Sequence, residues 1–213
     1  MKSDVTIIDY GMGNLFSVKR AFEHRGATTE VADAAEGIRA AQRLLLPGVG
    51  AFGDCMENLR RKGLIDPIRD AVAAGIPLLG ICVGMQVLFE EGDEFGIHAG
   101  IGLLRGRVTR IPGVNGRKVP HVGWAELLPA RDWTSTVFGA LRIPAGAYFS
   151  HSYAAHASDP DDELAYVDYR GARICATVQR GCITACQFHP ERSGSTGLQV
   201  LDGFLGATSP AST

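Results

Sequence analysis

Leu78-Leu79-Gly80-Ile81-Cys82-Val83-Gly84-Met85-Gln86-Val87-Leu88-Phe89 is the stretch from which the architecture of this 213-residue chain can be read. An apolar run after Pro77 enters Gly-x-Cys-x-Gly, and apolar residues return at Met85, Leu88 and Phe89, the spacing of a helix face. The stretch predicts a strand, a sharp turn and a helix that carries through Phe89. Gly80 and Gly84 bracket the turn, as expected where a strained backbone leaves its neighbours no room for a Cβ. Cys82 stands at the apex, beside the unpaired N–H groups of the first helical turn. A cysteine taken alone reads as a small buried hydrophobe. Here the flanking glycines and the residues found downstream point to a nucleophile.

Upstream, Val5-Thr6-Ile7-Ile8 is a β-rich run, and Asp9-Tyr10-Gly11-Met12-Gly13-Asn14 a glycine-bearing turn before a helix from Leu15 to His24 closed by Gly26. The Gly-x-Gly of this turn lacks the third glycine of a dinucleotide site, since position 16 is Phe16, so a tight turn lining a cleft is expected. Strands are predicted at 28–31 and 43–46, the second fully buried because it does not alternate. Pro47-Gly48-Val49-Gly50 follows, a loop whose N–H groups can approach a ligand at the same sheet edge as Cys82. Residues 52–61 and 64–74 read as helix broken at Gly63.

Downstream the pattern changes. Glu90 to Glu94 reads as a polar loop and Gly96 to Gly106 is too rich in glycine for a helix. Short strands are predicted at 107–111, 118–122, 147–153, 164–169, 174–179 and 182–188, with Arg180-Gly181 as a hairpin turn. A helix over 196–204 closes the fold, and 207–213 reads as a loose tail. The sum is an α/β chain forming one domain over 1–213, a mostly parallel twisted sheet flanked by helices with added antiparallel strands in the second half.

Composition narrows the function. Lys and Arg number 21 against 23 Asp and Glu, a net charge of −2 without blocks of either sign, which offers no footprint for nucleic acid or an acidic membrane. No apolar run reaches the length of a membrane span and none resembles a signal peptide, so a soluble cytoplasmic protein acting on a small molecule is expected. The five cysteines, at 55, 82, 175, 182 and 186, form no Cys-x-x-Cys pair. Neither a disulfide framework nor a zinc site is expected, and 175, 182 and 186 read as core or strand positions. No metal and no cofactor is expected.

Gln187-Phe188-His189-Pro190-Glu191 ends the last strand-like run. Two residues apart on an extended backbone, His189 and Glu191 point the same way, which makes a base and its orienting acid. With Cys82 they make a Cys-His-Glu triad. At these residues the chain resembles the class I, triad-type glutamine amidotransferases, whose motifs Gly-x-Cys-x-Gly-x-Gln and His-Pro-Glu are both present complete. Among them it is most similar to the family of glutaminase subunits that serve imidazole glycerol phosphate synthase. That resemblance rests on 9–14, 47–50 and 80–86, on Pro120-His121-Val122-Gly123-Trp124, on Tyr148-Phe149-Ser150-His151-Ser152-Tyr153 and on 187–191. Ala125 stands where that family usually has Asn, and Arg192 where it usually has Lys, a planar fork in place of a compact ammonium.

The resemblance implies that Cys82 attacks the side-chain amide of glutamine, that His189 protonates the departing ammonia, and that water releases glutamate from a thioester while Glu191 holds the imidazole tautomer. It further implies an oxyanion hole built from the N–H of Val83 and from Val49 and Gly50, and substrate contacts at Gln86, Gly48 and Gly84. Ammonia would be protonated in water, so a partner must take it directly. The implied partner is a (β/α)8 cyclase subunit, forming a heterodimer and making imidazole glycerol phosphate and aminoimidazole carboxamide ribotide for histidine biosynthesis. Asn14, His121, Trp124, Tyr148 and Arg192 are the expected interface residues. A glutaminase subunit serving another synthase, a stand-alone γ-glutamyl hydrolase and a catalytically idle regulatory module are the competing readings, the last opposed by the intact Cys82, His189 and Glu191.

Overall fold

The computed structural model describes residues 2–113 and 118–206. The first half alternates β1 (Val5–Ile8), α1 (Leu15–His24), β2 (Thr29–Ala32), α2 (Ala35–Ala40), β3 (Leu44–Leu46), α3 (Phe52–Arg61), α4 (Ile65–Ala73) and β4 (Leu78–Ile81). After Cys82 come α5 (Val83–Gln86), β5 (Phe89–Gly92), β6 (His98–Ala99), β7 (Leu104–Arg110), β8 (His121–Pro129), β9 (Ala145–His151) and β10 (Tyr153–Ala157). β11 (Glu163–Tyr169), β12 (Ala172–Arg180), β13 (Ile183–Cys186) and α6 (Gly194–Gly206) complete the described chain. The expected loose tail at 207–213 lies outside the described residues.

Nine strands form the main sheet in the order β2-β1-β3-β4-β13-β12-β11-β8-β9. The five strands from β2 to β13 run parallel, and the remaining four continue antiparallel. The parallel strands β1, β3 and β4 are buried along their whole length, as continuous apolar runs covered on both faces must be. α2 packs against α4 over this sheet. α6 joins α1, through Phe22 against Phe204 at 6.3 Å and Arg25 to Asp202 at 2.6 Å. A second sheet, β10-β7-β5-β6, flanks the first.

Several expectations from the sequence are corrected. The helix after Cys82 does not reach Phe89; it is a single turn, and Phe89 opens β5. The cause is tertiary: the carbonyls of Val87, Leu88 and Phe89 accept from the N–H groups of Ile101, Leu103, Leu104 and Gly102, so the apolar positions read as a helix face serve a strand junction. The expected loop at 90–94 is therefore largely strand, with Glu90 and Glu91 exposed along it. The run 147–153 is two strands in two sheets, divided at Ser152. The strand predicted at 118–122 begins only at His121 and runs on to Pro129, and β7 begins at Leu104. The last hairpin turns at Gly181 and Cys182, one residue later than read, since Arg180 pairs with Ile183. The short helix α2 has no capping side chain to announce it.

Candidate active site

Three strand ends converge at the C-terminal edge of the parallel strands. β3 runs into Pro47 to Gly50, β4 into Cys82, and β13 into Gln187 to Glu191. A cavity of about 360 Å³ opens there, lined by Val49, Gly50, Cys82, Val83, Gln86, Glu94, Pro120, Ser150, His151, Ser152, Tyr153, His189 and Arg192. This is the edge at which open α/β sheets hold ligands.

The turn at Cys82 has the strained geometry its flanks imply. Cys82 carries φ 56° and ψ −114°, a conformation costing about 1–3 kcal/mol for a residue with a Cβ. Both glycines are sterically required: a Cβ on Gly80 would stand 2.9 Å from the Gly84 carbonyl oxygen, and one on Gly84 only 2.0 Å from that of Leu46. Gly48 and Gly84 also meet each other, since a Cβ on Gly48 would lie 2.4 Å from the Gly84 nitrogen. These two residues sit behind the cavity wall and let the 47–50 loop close on α5.

That loop is held from behind. The buried Tyr10 hydroxyl donates to the Pro47 carbonyl at 2.7 Å and the Cys55 thiol to the Val49 carbonyl at 3.5 Å. Burial pushes the Cys55 thiol up to about 11, so it stays protonated and able to donate. The turn at 9–14, expected to line a cleft, instead backs this loop: Gly13 lies against Pro47 and the methyl end of Met12 against Gly50. Gly50, at φ +91°, holds a conformation that L side chains rarely adopt, whereas Gly48 is not in the left-handed region.

His189 and Glu191 meet, by a different local route from the one read. Pro190 to Arg192 form a 3-10 turn, not an extended strand, and within it His189 Nδ1 lies 2.8 Å from Glu191 Oε1. Both side chains are almost fully buried, at 11% and 2% exposure. Cys82 lines the same cavity as the ring. Burial alone would strip the proton from His189, but the hydrogen bonds and negative charge of Cys82 and Glu191 outweigh it and raise the imidazole to about 10. Ser193, 1% exposed, fixes the backbone: its hydroxyl donates to the His189 carbonyl at 2.7 Å and accepts from the Tyr148 N–H at 2.9 Å. Val83 opens α5, so its N–H has no acceptor within that helix, and the residue lines the cavity beside Cys82.

Sequence reading did not find Ser193, Gln187, His151 or Tyr10 as site residues. None sits at a spacing that signals chemistry: Ser193 reaches the His189 carbonyl across a local turn, and Gln187, His151 and Tyr10 meet their partners on distant segments. Of the residues expected at an interface, Trp124 is 62% exposed and pairs across the strands with Tyr148. The Arg192 guanidinium lies 4.2 Å from the Tyr148 ring centre, at the cavity rim. Asn14 is exposed, its side chain capping α1 through the Ser17 N–H. His121 is different: only 2% exposed, it lies beneath the surface between Phe149 and Tyr169.

Nine mixed strands, a strained cysteine at the strand-to-helix turn and a histidine clamped by an acid define a class, and the chain belongs to it: the family described as "Glutamine amidotransferase class-I" matches residues 6–206. Within that class it is similar to "Imidazole glycerol phosphate synthase subunit HisH 1" of Legionella pneumophila, with 43% identity over 95% of this chain and 99% of that one. It is 48% identical to "Imidazole glycerol phosphate synthase subunit HisH" of Lactococcus lactis over 94% of this chain and 97% of the other. The fold also resembles that in "Structure of PurLQS from Thermotoga maritima", at a TM-score of 0.75 and 21% identity over 97% of this chain and 99% of that chain. No helix among the described residues is long and apolar enough to cross a membrane.

Proposed function

We propose that this chain, acting as one domain in the cytoplasm, is the glutaminase subunit of an imidazole glycerol phosphate synthase. It hydrolyses glutamine to glutamate and ammonia, and passes the ammonia to a (β/α)8 cyclase subunit in a heterodimer. The single observation that carries the reading is that His189, bonded to Glu191, and the strained Cys82 line one cavity together with Gln86. The names of the HisH relatives support the choice of partner.

In this reading the Cys82 sulfur attacks the carboxamide carbon of glutamine, and the carbonyl electrons move onto oxygen. The N–H of Val83 and one from Val49 or Gly50 hold that oxyanion. As it collapses, the C–N bond breaks and ammonia leaves with a proton from His189, giving a γ-glutamyl thioester. His189 then takes a proton from water, whose oxygen attacks the thioester, and glutamate departs as the sulfur is released. Glu191 keeps Nδ1 protonated, so Nε2 is the atom that exchanges protons. Gln86 faces the bound glutamine, while Gly48 and Gly84 let the loop close around it.

Trp124, Tyr148, Arg192 and Asn14 suit a partner surface at the same edge, because aromatic and arginine anchors around a desolvated mouth keep ammonia from water. His121 contributes to that surface from below. The test is steady-state glutaminase activity of the chain alone, with the cyclase, and with cyclase plus its nucleotide ligand. We expect slow turnover alone and a rise in kcat of about a hundred- to a thousandfold in the liganded complex, the worth of one oxyanion donor. Equal kcat in all three states would favour a stand-alone hydrolase.

A further inference from the structure

A line of buried hydrogen bonds runs from His121 to the reacting sulfur, and elementary donor chemistry fixes its direction. The Tyr153 carbonyl can only accept. Gln86 approaches it at 3.0 Å, so the amide atom there is nitrogen; the same nitrogen lies 2.9 Å from the Gln187 amide, whose facing atom must then be oxygen. That leaves the Gln187 NH2 group turned to Cys82, at 3.8 Å from Sγ. His151 Nδ1 meets the same Tyr153 carbonyl at 2.7 Å and is therefore its protonated nitrogen. In the neutral ring Nε2 is then bare, and it accepts from His121 Nδ1 at 3.0 Å. Burial keeps both imidazoles neutral, lowering His121 to about 4 and His151 to about 3. Gln187 is itself fully buried, and its backbone N–H is held separately by the Ala176 carbonyl.

The geometry points to Gln187 as a positioning residue for the nucleophile: its amide, locked in one orientation by Gln86 and the Tyr153 carbonyl, presents an N–H to the Cys82 sulfur. This rests on the proposed role of Cys82 and adds to it a donor outside the triad and the oxyanion hole. A sulfur holding negative charge gains from such a donor, and the attacking lone pair is left pointing into the cavity. Freed to rotate, the amide would offer its oxygen as often as its nitrogen. The chain through Gln86 removes that choice.

Alkylation of Cys82 by iodoacetamide across pH tests this without glutamine turnover. Residues 70–105 form one tryptic peptide in which Cys82 is the only cysteine, so mass spectrometry follows that thiol alone. Gln187→Met keeps the volume and removes the donor; we expect the midpoint of the alkylation profile to rise by about one pH unit, and kcat with the cyclase and its ligand to fall about tenfold at little changed KM. Gln86→Met removes the group that orients Gln187 while leaving the sulfur's surroundings in place, and should give a smaller shift in the same direction. Unfolding midpoints of both variants separate this from loss of structure, and if Gln187→Met does not fold, Gln86→Met carries the test. A profile superimposable on that of the unsubstituted chain, in a folded variant, overturns the proposal. Failure of the glutaminase reading itself would appear separately, as undiminished turnover in Cys82→Ser.

Discussion

His189 has two neighbours with unequal duties. In the proposed reading Cys82 forms and breaks the bond to substrate, so Cys82→Ser should abolish glutamine-dependent synthesis while added ammonium salt still supports it through the cyclase. Near-normal glutamine turnover in that variant would remove Cys82 as nucleophile. In the same reading Glu191 acts only through the imidazole, whose Nδ1 it meets at 2.8 Å. Glu191→Gln retains an acceptor there and is expected to lower kcat less than His189→Ala does; kinetics in the reverse order would collapse this division of roles. The convergence of Cys82, His189 and Glu191 on one cavity was legible because each lies in a short motif, although the turn that joins His189 to Glu191 was read as extended chain. Gln187 stood in the same motif and was not legible, because its partner Gln86 lies on another segment and the direction of its amide follows from the carbonyl of Tyr153.

Among the elements, the 47–50 loop separates packing from activation. A Cβ on Gly48 would meet backbone atoms of Gly84 and Val83 at 2.4 and 2.8 Å, whereas one on Gly50 meets only the flexible end of Met12. Gly48→Ala should therefore lower the thermal midpoint markedly. Gly50→Ala should leave the chain folded, with a penalty on the order of 1–3 kcal/mol from its positive φ, yet blunt the rise in kcat with partner and ligand, since the added Cβ restricts rotation of the Val49–Gly50 peptide. Full activation of a folded Gly50→Ala protein would show that this peptide does not gate turnover. The parallel half of the fold was readable because its strands are uninterrupted apolar runs punctuated by glycine. The region from Phe89 to Leu104 was not, because the partners of its carbonyls lie a dozen or so residues further on, and no periodicity reports them.

For the molecule as a whole, the buried His121 and His151 set an acid limit. Each binds a proton near 6.5 when unfolded and only near 4 and 3 in the folded chain, so the unfolded state takes up more protons over that range. The stabilisation is complete above about pH 6.5 and is lost as pH falls towards 4 and then 3, each ring contributing a slope that approaches about 1.4 kcal/mol per pH unit. Urea midpoints measured at pH 7, 5 and 4 should fall steadily. A flat profile would mean that the pair is already charged inside the protein.

The order of the strands has a consequence for synthesis. β13 is inserted between β4 and β12, and it leads into His189, which lines the cavity with Cys82. Until the ribosome has made it, the nascent chain presents one side of β4 as an unpaired edge, apolar throughout, beside Cys82 with no histidine yet near it. At about 5–20 residues per second that interval lasts roughly 5–20 s, the period in which such an edge recruits other chains. The four residues that protect the edge come first, and His189 follows three residues later, so the cover and the partner of Cys82 arrive almost together.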